Sequence, residues 1–285
     1  MKTTFPKPTL PVARAPRAFT IVELLIVIAI IGILAAMLLP VLSAAMKHAK
    51  KTEAQTECVN IANAVQQYES EYSRFPVSVE EQSMGAEDMT VGGIFANTNG
   101  TPWIVGTTNS AGLYSGHIYT NNSDVIAILL DLTNFMNGFS PGTPNDSNPS
   151  TWTDNTNHMK NPKREVFLTS TKFSGWDPTQ GGTPRPGIGN DLVYRDPFGN
   201  PYVITMDLDE DNLASDAFYG APSVSSATGV ANGPGINGLS YQTDNGVSTY
   251  CFHGNVMVWS AGADGQIAPG YPANTGVNKD NVLSW

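Results

Sequence analysis

Positive charge and cysteine are both scarce in this sequence. Its 285 residues include 15 Lys and Arg against 25 Asp and Glu, and two Cys, for a formal net charge of −10. An acidic surface repels a phosphate backbone, so no nucleic-acid binding is expected; a local basic patch at Lys160, Lys163 and Arg164 stays open. Two cysteines are too few for a disulfide framework. If the chain is exported, Cys58 and Cys251 either bridge a helix to a strand or remain buried thiols.

Recognisable catalytic patterns are also missing. The sequence has no HExxH, GxSxG or P-loop motif, and its closest approach to GxGxxG, GIGNDL at 187–192, lacks the third glycine and a preceding apolar strand. The four histidines are far apart in the chain: His48, His117, His158 and His253. The sequence therefore gives no positive evidence for an enzyme.

One long apolar run is present, from Phe19 to Leu39, and Glu23 is its sole ionisable side chain. Its 21 residues form about 30 Å of α-helix, which is the thickness of a hydrocarbon core. The residues before it, 1–18, contain four basic side chains, four prolines and no acid. Lysines also follow the run closely, so the positive-inside rule says little about orientation. A membrane-spanning helix between a basic leader and a soluble part is predicted.

The segment RAFTIVELLIVIAIIGILAAMLLP, from Arg17 to Pro40, resembles the leader and N-terminal helix of type IV pilins and pseudopilins. In that family a prepilin peptidase cuts on the cytoplasmic side of the membrane, before the Phe, and methylates the new amine. The resemblance implies a leader peptide at 1–18, cleavage between Ala18 and Phe19, and N-methylation of Phe19. Most members have Gly at the position of Ala18.

Glu23 is costly inside a membrane helix, at about 2.5–3.5 kcal/mol on insertion scales. The run itself contains no Lys or Arg. The amine created at Phe19 of a neighbouring copy would supply the cation, since two charges about 4 Å apart gain roughly 4 kcal/mol at an effective dielectric near 20. Glu23 is therefore predicted to guide filament assembly. The alternative is a plain membrane anchor whose Glu23 reaches the headgroups.

The helix is expected to continue beyond the membrane. Gly32 and Pro40 predict a break or kink, because Pro removes one helix hydrogen bond. Beyond Pro40, apolar or small residues recur at three- and four-residue steps, which predicts an amphipathic half within 40–76 that ends near Tyr72. The exit AVQQYESEYSRFP also resembles that of the family, and Pro76 disfavours helix at the residue before it.

The head, 77–285, is predicted as an α+β fold in which the long N-terminal helix packs on a small antiparallel sheet with long loops. A second helix is expected from Ser123 to about Asn134, with an N-cap at its start. A strand is expected from Glu165 to Thr171. Three segments rich in turn-forming residues read as loops of unassigned role: 77–122, 137–162 and 213–248.

Three C-terminal segments resemble the major pseudopilin of type II secretion. The turn DPFGNPY, from Asp196 to Tyr202, leads into a strand through VITMDL. The segment NVMVWSAGADGQ, from Asn255 to Gln266, resembles the last strand and the loop after it, and KDNVLSW resembles a tail that folds back.

Calcium is the cofactor that this resemblance implies. In the pseudopilins a calcium ion joins the last loop to the tail, which makes Asp264, Asp280 and Asn281 candidate ligands together with backbone carbonyls. A weaker candidate has the D-x-D-x-D spacing of a calcium loop without its final Glu: Asp207, Asp209 and Asp211. In both loops the alternative is a solvated acidic turn.

The resemblance implies a structural subunit of a type II secretion pseudopilus, anchored by one helix in the inner membrane, with a periplasmic head. Its partners would be other copies of itself, other pseudopilins, the prepilin peptidase, the assembly platform with its motor ATPase, and membrane lipid. One alternative is a surface type IV pilus subunit for adhesion, motility or DNA uptake. Another is a membrane-anchored binding or enzyme domain.

Overall fold

The computed structural model describes residues 19–77, 88–92, 94–96, 102–104, 121–139, 152–169, 171–228, 232–244 and 247–285. The chain divides into two compact units, one through Met46 and the other from Lys47 onward. The leader, including Ala18, and most of the predicted 77–122 loop lie outside the described residues.

Helices and strands alternate irregularly in the described residues. The helices are α1 (Ile21–Tyr72), α2 (Ser123–Leu129) and α3 (Pro222–Ser225), with 3-10 turns at Met136–Gly138, Thr156–His158, Pro178–Gln180 and Gly276–Asp280. The strands are β1 (Met89–Val91), β2 (Ile94–Ala96), β3 (Pro102–Ile104), β4 (Gly187–Ile188), β5 (Tyr194–Arg195), β6 (Val203–Met206), β7 (Leu213–Ala214), β8 (Ser240–Asp244), β9 (Val247–His253), β10 (Val256–Ser260) and β11 (Val282–Leu283).

Helix α1 ends at Tyr72, where the sequence predicted its end, and Ser73 then adopts a left-handed conformation with φ 51°. Gly32 and Pro40 lie inside α1, and the helix continues through both. A single proline removes one hydrogen bond from the ladder and the neighbouring turns keep theirs. The described helix is therefore continuous where a break was expected, and loosening in a filament stays a prediction.

The central sheet has four antiparallel strands in the order β1-β6-β10-β11. Strand β6 follows the DPFGNPY turn as expected, and β10 lies within the predicted NVMVWS segment. Strand β11 is the C-terminal tail, which folds back so that Leu283 faces Trp259 of β10. Helix α1 and these antiparallel strands confirm the α+β class.

Both faces of the central sheet are buried, because alternate residues of each strand point to opposite sides. On one face Ile204 and Val258 share a core cluster with Ile61 and Tyr68 of α1 and with α2. On the other face Val203, Met257 and Trp259 belong to a second cluster. That cluster is completed by residues from the 213–253 region: Ala214, Phe218, Tyr219, Val224, Leu239 and Tyr250.

The predicted 213–248 loop instead contains short strands and a helix. It contributes β7, α3 and β8, and β9 pairs with both β7 and β8 in a three-stranded sheet. Its buried Asp216 accepts hydrogen bonds from Thr205 Oγ1 at 2.6 Å and from Trp259 Nε1 at 3.0 Å. The many turn-forming residues in this stretch led the sequence analysis to miss its strands. Its apolar residues become buried only by packing against the second face of the central sheet.

Helix α2 stops at Leu129, short of the Asn134 that the sequence predicted. Asp131 takes a left-handed conformation with φ 56°, and its N–H donates to Ile128 O while Leu132 N–H donates to Ala127 O. This pattern is a Schellman ending, which satisfies the last carbonyls of a helix. The expected side-chain N-cap is also absent at the start of α2.

The segment from Glu165 to Thr171 does not form the predicted strand in its described residues. Its backbone groups bond elsewhere: Phe167 N–H donates to Leu129 O at 2.9 Å, and the Asn161 side chain bonds both the N–H and the carbonyl of Glu165. These contacts attach the segment to the end of α2. The backbone groups that they use are then not available for pairing with a neighbouring strand.

Cys58 and Cys251 are not joined by a disulfide, which corrects the bridge considered from the sequence. Both thiols are buried. Cys58 lies in the cluster on the α1 side of the central sheet, whereas Cys251 lies in β9 beside Tyr250 of the opposite cluster. The central sheet separates the two clusters, so buried thiols are the outcome.

Candidate assembly segment and acidic loops

Thr20 and Glu23 form a capping box at the start of α1. The Glu23 carboxylate accepts hydrogen bonds from Thr20 N–H at 2.9 Å and from Thr20 Oγ1 at 2.8 Å, and Thr20 Oγ1 accepts from Glu23 N–H at 3.2 Å. This reciprocal pattern satisfies N-terminal amide groups that have no partner inside a helix. The Thr-x-x-Glu spacing is the signal that sequence reasoning overlooked.

The apolar run of α1 is fully exposed in the single chain. Every residue from Phe19 to Glu53 is exposed, and the side chain of Ile21 reaches 84% of its full exposure. Mean hydropathy reaches 3.1 over its most apolar window, so by length and composition this is a helix that can cross a membrane. It fits a single-pass anchor.

The DPFGNPY turn is organised by the buried Asp196. One oxygen of its carboxylate accepts from Phe198 N–H and Asn200 N–H, both at 2.8 Å, and the other accepts from Ser260 Oγ of β10. Burial raises the pKa of Asp196, and these hydrogen bonds oppose the rise. Asn200 Nδ2 then donates to Gly262 O at 2.6 Å. The turn is thereby joined to the Gly-Ala-Asp-Gly loop.

That loop is joined directly to the C-terminal tail. Asp280 Oδ2 accepts from Ala263 N–H at 2.8 Å and from Asp264 N–H at 3.1 Å. Gly262 has φ +68°, and a Cβ there would lie 2.2 Å from Asp280 O. Direct hydrogen bonds thus make a connection that the resemblance assigned to calcium.

The structure brings Asp264 and Asp280 together but turns Asn281 away. Asn281 Nδ2 donates to Tyr219 Oη at 2.9 Å in the second core cluster. Burial raises the pKa of Asp264, and the charge of Asp280 raises it further. Two neighbouring carboxylates fit a cation, whereas Asn281 does not complete the predicted set.

The second acidic group differs from the one predicted. One carboxylate oxygen from each of Asp88, Asp207 and Asp209 lies within 4.8 Å of the others, a spacing that fits a cation. Asp211 instead accepts from Leu213 N–H at 2.8 Å. Burial, followed by a hydrogen bond with Asp209, raises the pKa of Asp207 to about 7.

Asp88 was missed because only strand pairing brings it to this group. It precedes β1, whose Met89 pairs with Met206 of β6 immediately before Asp207. The spacing of residues along the chain carries no sign of this contact.

The three basic residues that the sequence left open as a local patch do not form one on the surface. Lys160 is buried, Lys163 forms an ion pair with Glu71, and Arg164 is exposed. Among the histidines that the structure describes, His158 and His253 form side-chain hydrogen bonds with different partners: His158 Nδ1 lies 2.7 Å from Asp131 Oδ1, and His253 Nε2 lies 3.1 Å from Ser240 Oγ.

Comparison with known proteins identifies the N-terminal segment. Residues 14–39 match the family described as the prokaryotic N-terminal methylation motif. The chain is also 34% identical, over 73 residues, to the type II secretion system core protein G of Dickeya chrysanthemi. This match covers 26% of the chain and 46% of that relative, so the chain spans about half the length of the curated relative that it matches. No solved structure matches the chain.

Proposed function

Because the chain carries the N-terminal methylation motif of type IV pilin-like proteins, we propose that it is a structural subunit of a type II secretion pseudopilus. A prepilin peptidase removes residues 1–18 and methylates Phe19. The processed subunit stays in the inner membrane through α1, with its head in the periplasm. An assembly platform and a motor ATPase then lift it, with other pseudopilins, into a filament that drives protein export.

The observation that carries this proposal is the exposed apolar run with one acidic residue near its start. A plain anchor needs apolar length alone, and a carboxylate at Glu23 adds an insertion cost. In a filament the same run packs against the runs of neighbouring copies, so its exposed side chains gain a partner. Contact between copies therefore explains both the exposed apolar side chains of α1 and the presence of Glu23 among them.

Glu23 has two alternative partners in this mechanism. In the single chain its carboxylate is held by Thr20. In a filament the methylated amine of Phe19 on an adjoining copy provides a cation. The attraction of two opposite charges about 4 Å apart, roughly 4 kcal/mol at an effective dielectric near 20, is a gain that the uncharged Thr20 does not offer. Exchange from the local cap to the neighbouring amine would set the stagger between subunits.

Secretion is favoured over a surface pilus by the C-terminal half. Asp196 and Asn200 link the DPFGNPY turn to the Gly-Ala-Asp-Gly loop, and Asp280 links that loop to the tail. These are the three segments that resemble the major pseudopilin. The similarity to a core protein G supports the same choice.

Mass spectrometry of the mature N-terminus tests processing. When the chain is produced together with a prepilin peptidase, we expect a product that begins at N-methylated Phe19. An intact Met1, or cleavage beyond Leu39, would contradict the proposal.

Crosslinking of filaments tests the role of Glu23. We expect Glu23→Leu to lower the filament yield at least tenfold while membrane insertion is kept, whereas the control Leu24→Ile should assemble normally. Normal assembly of Glu23→Leu would favour a plain anchor. Filaments that reach the cell surface at native expression would indicate a surface pilus instead.

Calcium remains a proposal for the two acidic groups. When bound, it would offset carboxylate repulsion, with Asp264 and Asp280 as ligands at one site and Asp88, Asp207 and Asp209 at the other. Calorimetric titration of the full chain in detergent tests this, with Asp264→Asn and Asp209→Asn as separate variants. An unchanged heat signal in both variants would exclude both sites.

A further inference from the structure

A long stretch of α1 without charged residues lies between an acidic residue, Glu23, and a basic residue, Lys47. No charged residue occurs from Leu24 to Met46, a run of 23 residues, which forms about 34 Å of helix and therefore matches a hydrocarbon core of about 30 Å. Glu23 lies at one end and Lys47 directly follows the other. With this helix across the bilayer, Lys47 and the residues after it lie at the headgroups of the leaflet that faces the head.

Basic side chains are concentrated at this boundary. Lys47, Lys50 and Lys51 lie within five positions, together with His48, and all four are exposed. The head, 77–285, is acidic, so this cluster differs in sign from the part of the chain that follows it. Lysines on the exported side also oppose the positive-inside rule. Their presence there calls for a compensating interaction.

The second unit forms a pocket beside these lysines. It has a volume of about 220 Å³ and is lined by Lys47, His48, Lys51, Phe198, Ala263 and Asp280. Liquid water occupies about 30 Å³ per molecule, so the pocket has room for a phosphodiester group. Lys50 Nζ lies 5.4 Å from the centre of the Phe198 ring, which extends the positive charge along the same wall.

The wall of the pocket is almost wholly apolar, and the side chains that line it carry their cationic ends outside that wall. Lysine presents methylene groups below its ammonium, and Phe198 and Ala263 add apolar surface. Asp280 is the acidic residue among those that line the pocket, and its Oδ2 is already engaged by the N–H groups of Ala263 and Asp264. An amphipathic anion suits such a site better than a free ion does.

We propose that this pocket and the three lysines bind the phosphate headgroup of an anionic phospholipid in the leaflet that faces the head. The inference rests on the proposed membrane insertion and deepens it by naming the lipid that the anchored subunit contacts. A lysine near an anionic membrane surface contributes about fivefold in binding, so three lysines give a preference on the order of 100-fold. This contact would hold a subunit at the bilayer until it is extracted into the filament.

Native mass spectrometry of the full chain in mild detergent provides the test. Phosphatidylglycerol and phosphatidylethanolamine are titrated separately, and we expect at least tenfold tighter binding of phosphatidylglycerol. The variant Lys47→Ala/Lys50→Ala/Lys51→Ala should lose this preference and keep its fold, because alanine favours helix and the replaced side chains are exposed. The variant Ala263→Trp, which fills the pocket without a change of charge, should weaken binding several-fold.

A matched variant separates the pocket from bulk charge. Lys163→Ala/Arg164→Ala/Arg185→Ala removes the same charge from exposed positions elsewhere and should keep the preference. Equal losses in both triple variants would overturn the proposal. Equal binding of the two lipids by the unmodified chain would also overturn it. So would displacement of phosphatidylglycerol by an equal concentration of inorganic phosphate, which would indicate a site for free phosphate.

The same preparation is checked for the mass of its N-terminus and for filaments. A lipid preference in a chain that is neither cleaved nor polymerised would leave the lipid site standing and contradict the pseudopilus. Filaments from a correctly processed chain without lipid preference would contradict the lipid site alone.

Discussion

The hydroxyl of Tyr202 donates a hydrogen bond of 2.5 Å to the carboxylate of Glu57. Tyr202 ends the DPFGNPY turn, and Glu57 lies on the half of α1 that packs against the head. Burial raises the pKa of Glu57, while hydrogen bonds from Tyr202 and Tyr194 oppose that rise. The contact therefore keeps a half-buried acid satisfied where helix and sheet meet.

Tyr202→Phe is expected to destabilise the head by about 1–3 kcal/mol, because it leaves a carboxylate oxygen of Glu57 without its donor. Loss of the donor disfavours the charged form of Glu57, so the destabilisation should be larger at pH 8 than at pH 4.5. Urea unfolding of the full chain in detergent at both pH values measures it. Tyr271→Phe, at an exposed tyrosine, is the control and should change little.

Asn161→Ala is expected to cost about 2–4 kcal/mol. The buried Asn161 side chain accepts from Tyr72 Oη at 2.7 Å and donates to Ile128 O at 3.2 Å, and it also bonds both backbone groups of Glu165. Its loss leaves several buried polar groups without partners. Thermal unfolding compares this variant with Asn274→Ala at an exposed asparagine. Equal stability of the two variants would contradict the interpretation.

Gly262→Ala is expected to detach the C-terminal tail from its loop. The added Cβ meets Asp280 O, and the left-handed backbone at Gly262 adds about 1–2 kcal/mol of strain. Hydrogen exchange at Val282 and Leu283 should accelerate at least tenfold. Gly270→Ala is the matched control, since an added Cβ there meets nothing within 4 Å. Equal hydrogen-exchange rates at Val282 and Leu283 in the two variants would contradict a role of Gly262 in holding the tail.

Asp207→Asn is expected to flatten the dependence of stability on pH. The pKa of Asp207 is about 7 in the folded chain against 3.8 in a model peptide, so between about pH 4 and 7 the folded state binds more protons than the unfolded state. The free energy of unfolding then falls as pH rises through this window. Replacement by Asn removes that contribution to the slope.

Unfolding from pH 4.5 to 7.5 in a chelator measures this slope. Asp177→Asn is the control, because hydrogen bonds from Thr179 lower the pKa of Asp177 and its titration lies below the window. A slope that is unchanged in Asp207→Asn would contradict the assignment. Recovery of stability on addition of calcium at pH 7.5, absent from Asp207→Asn, would support a cation in the Asp88 group.

Local patterns predicted those features that depend on neighbours along the chain. The apolar run with Glu23, the helix end near Tyr72 and the turn at Asp196 each follow from the periodicity or turn preference of adjacent residues. The capping box of Thr20 with Glu23 could also have been predicted from the Thr-x-x-Glu spacing, but the sequence analysis overlooked it. The expected strand at 165–171 failed because helix α2 and Asn161 take its backbone hydrogen bonds.

The sequence by itself determined that this chain has a membrane-length helix with one acid, a methylation motif that includes the start of that helix, and an α+β head. These properties depend on length, hydrophobicity and local spacing, which no distant contact can change. Only the tertiary structure decided that Asp88 joins Asp207, that Cys58 and Cys251 stay apart, and that residues 213–253 cover the second face of the sheet. The reason is strand register. Antiparallel pairing brings together residues that are far apart along the chain, and the sequence pattern around each of them does not predict the contact.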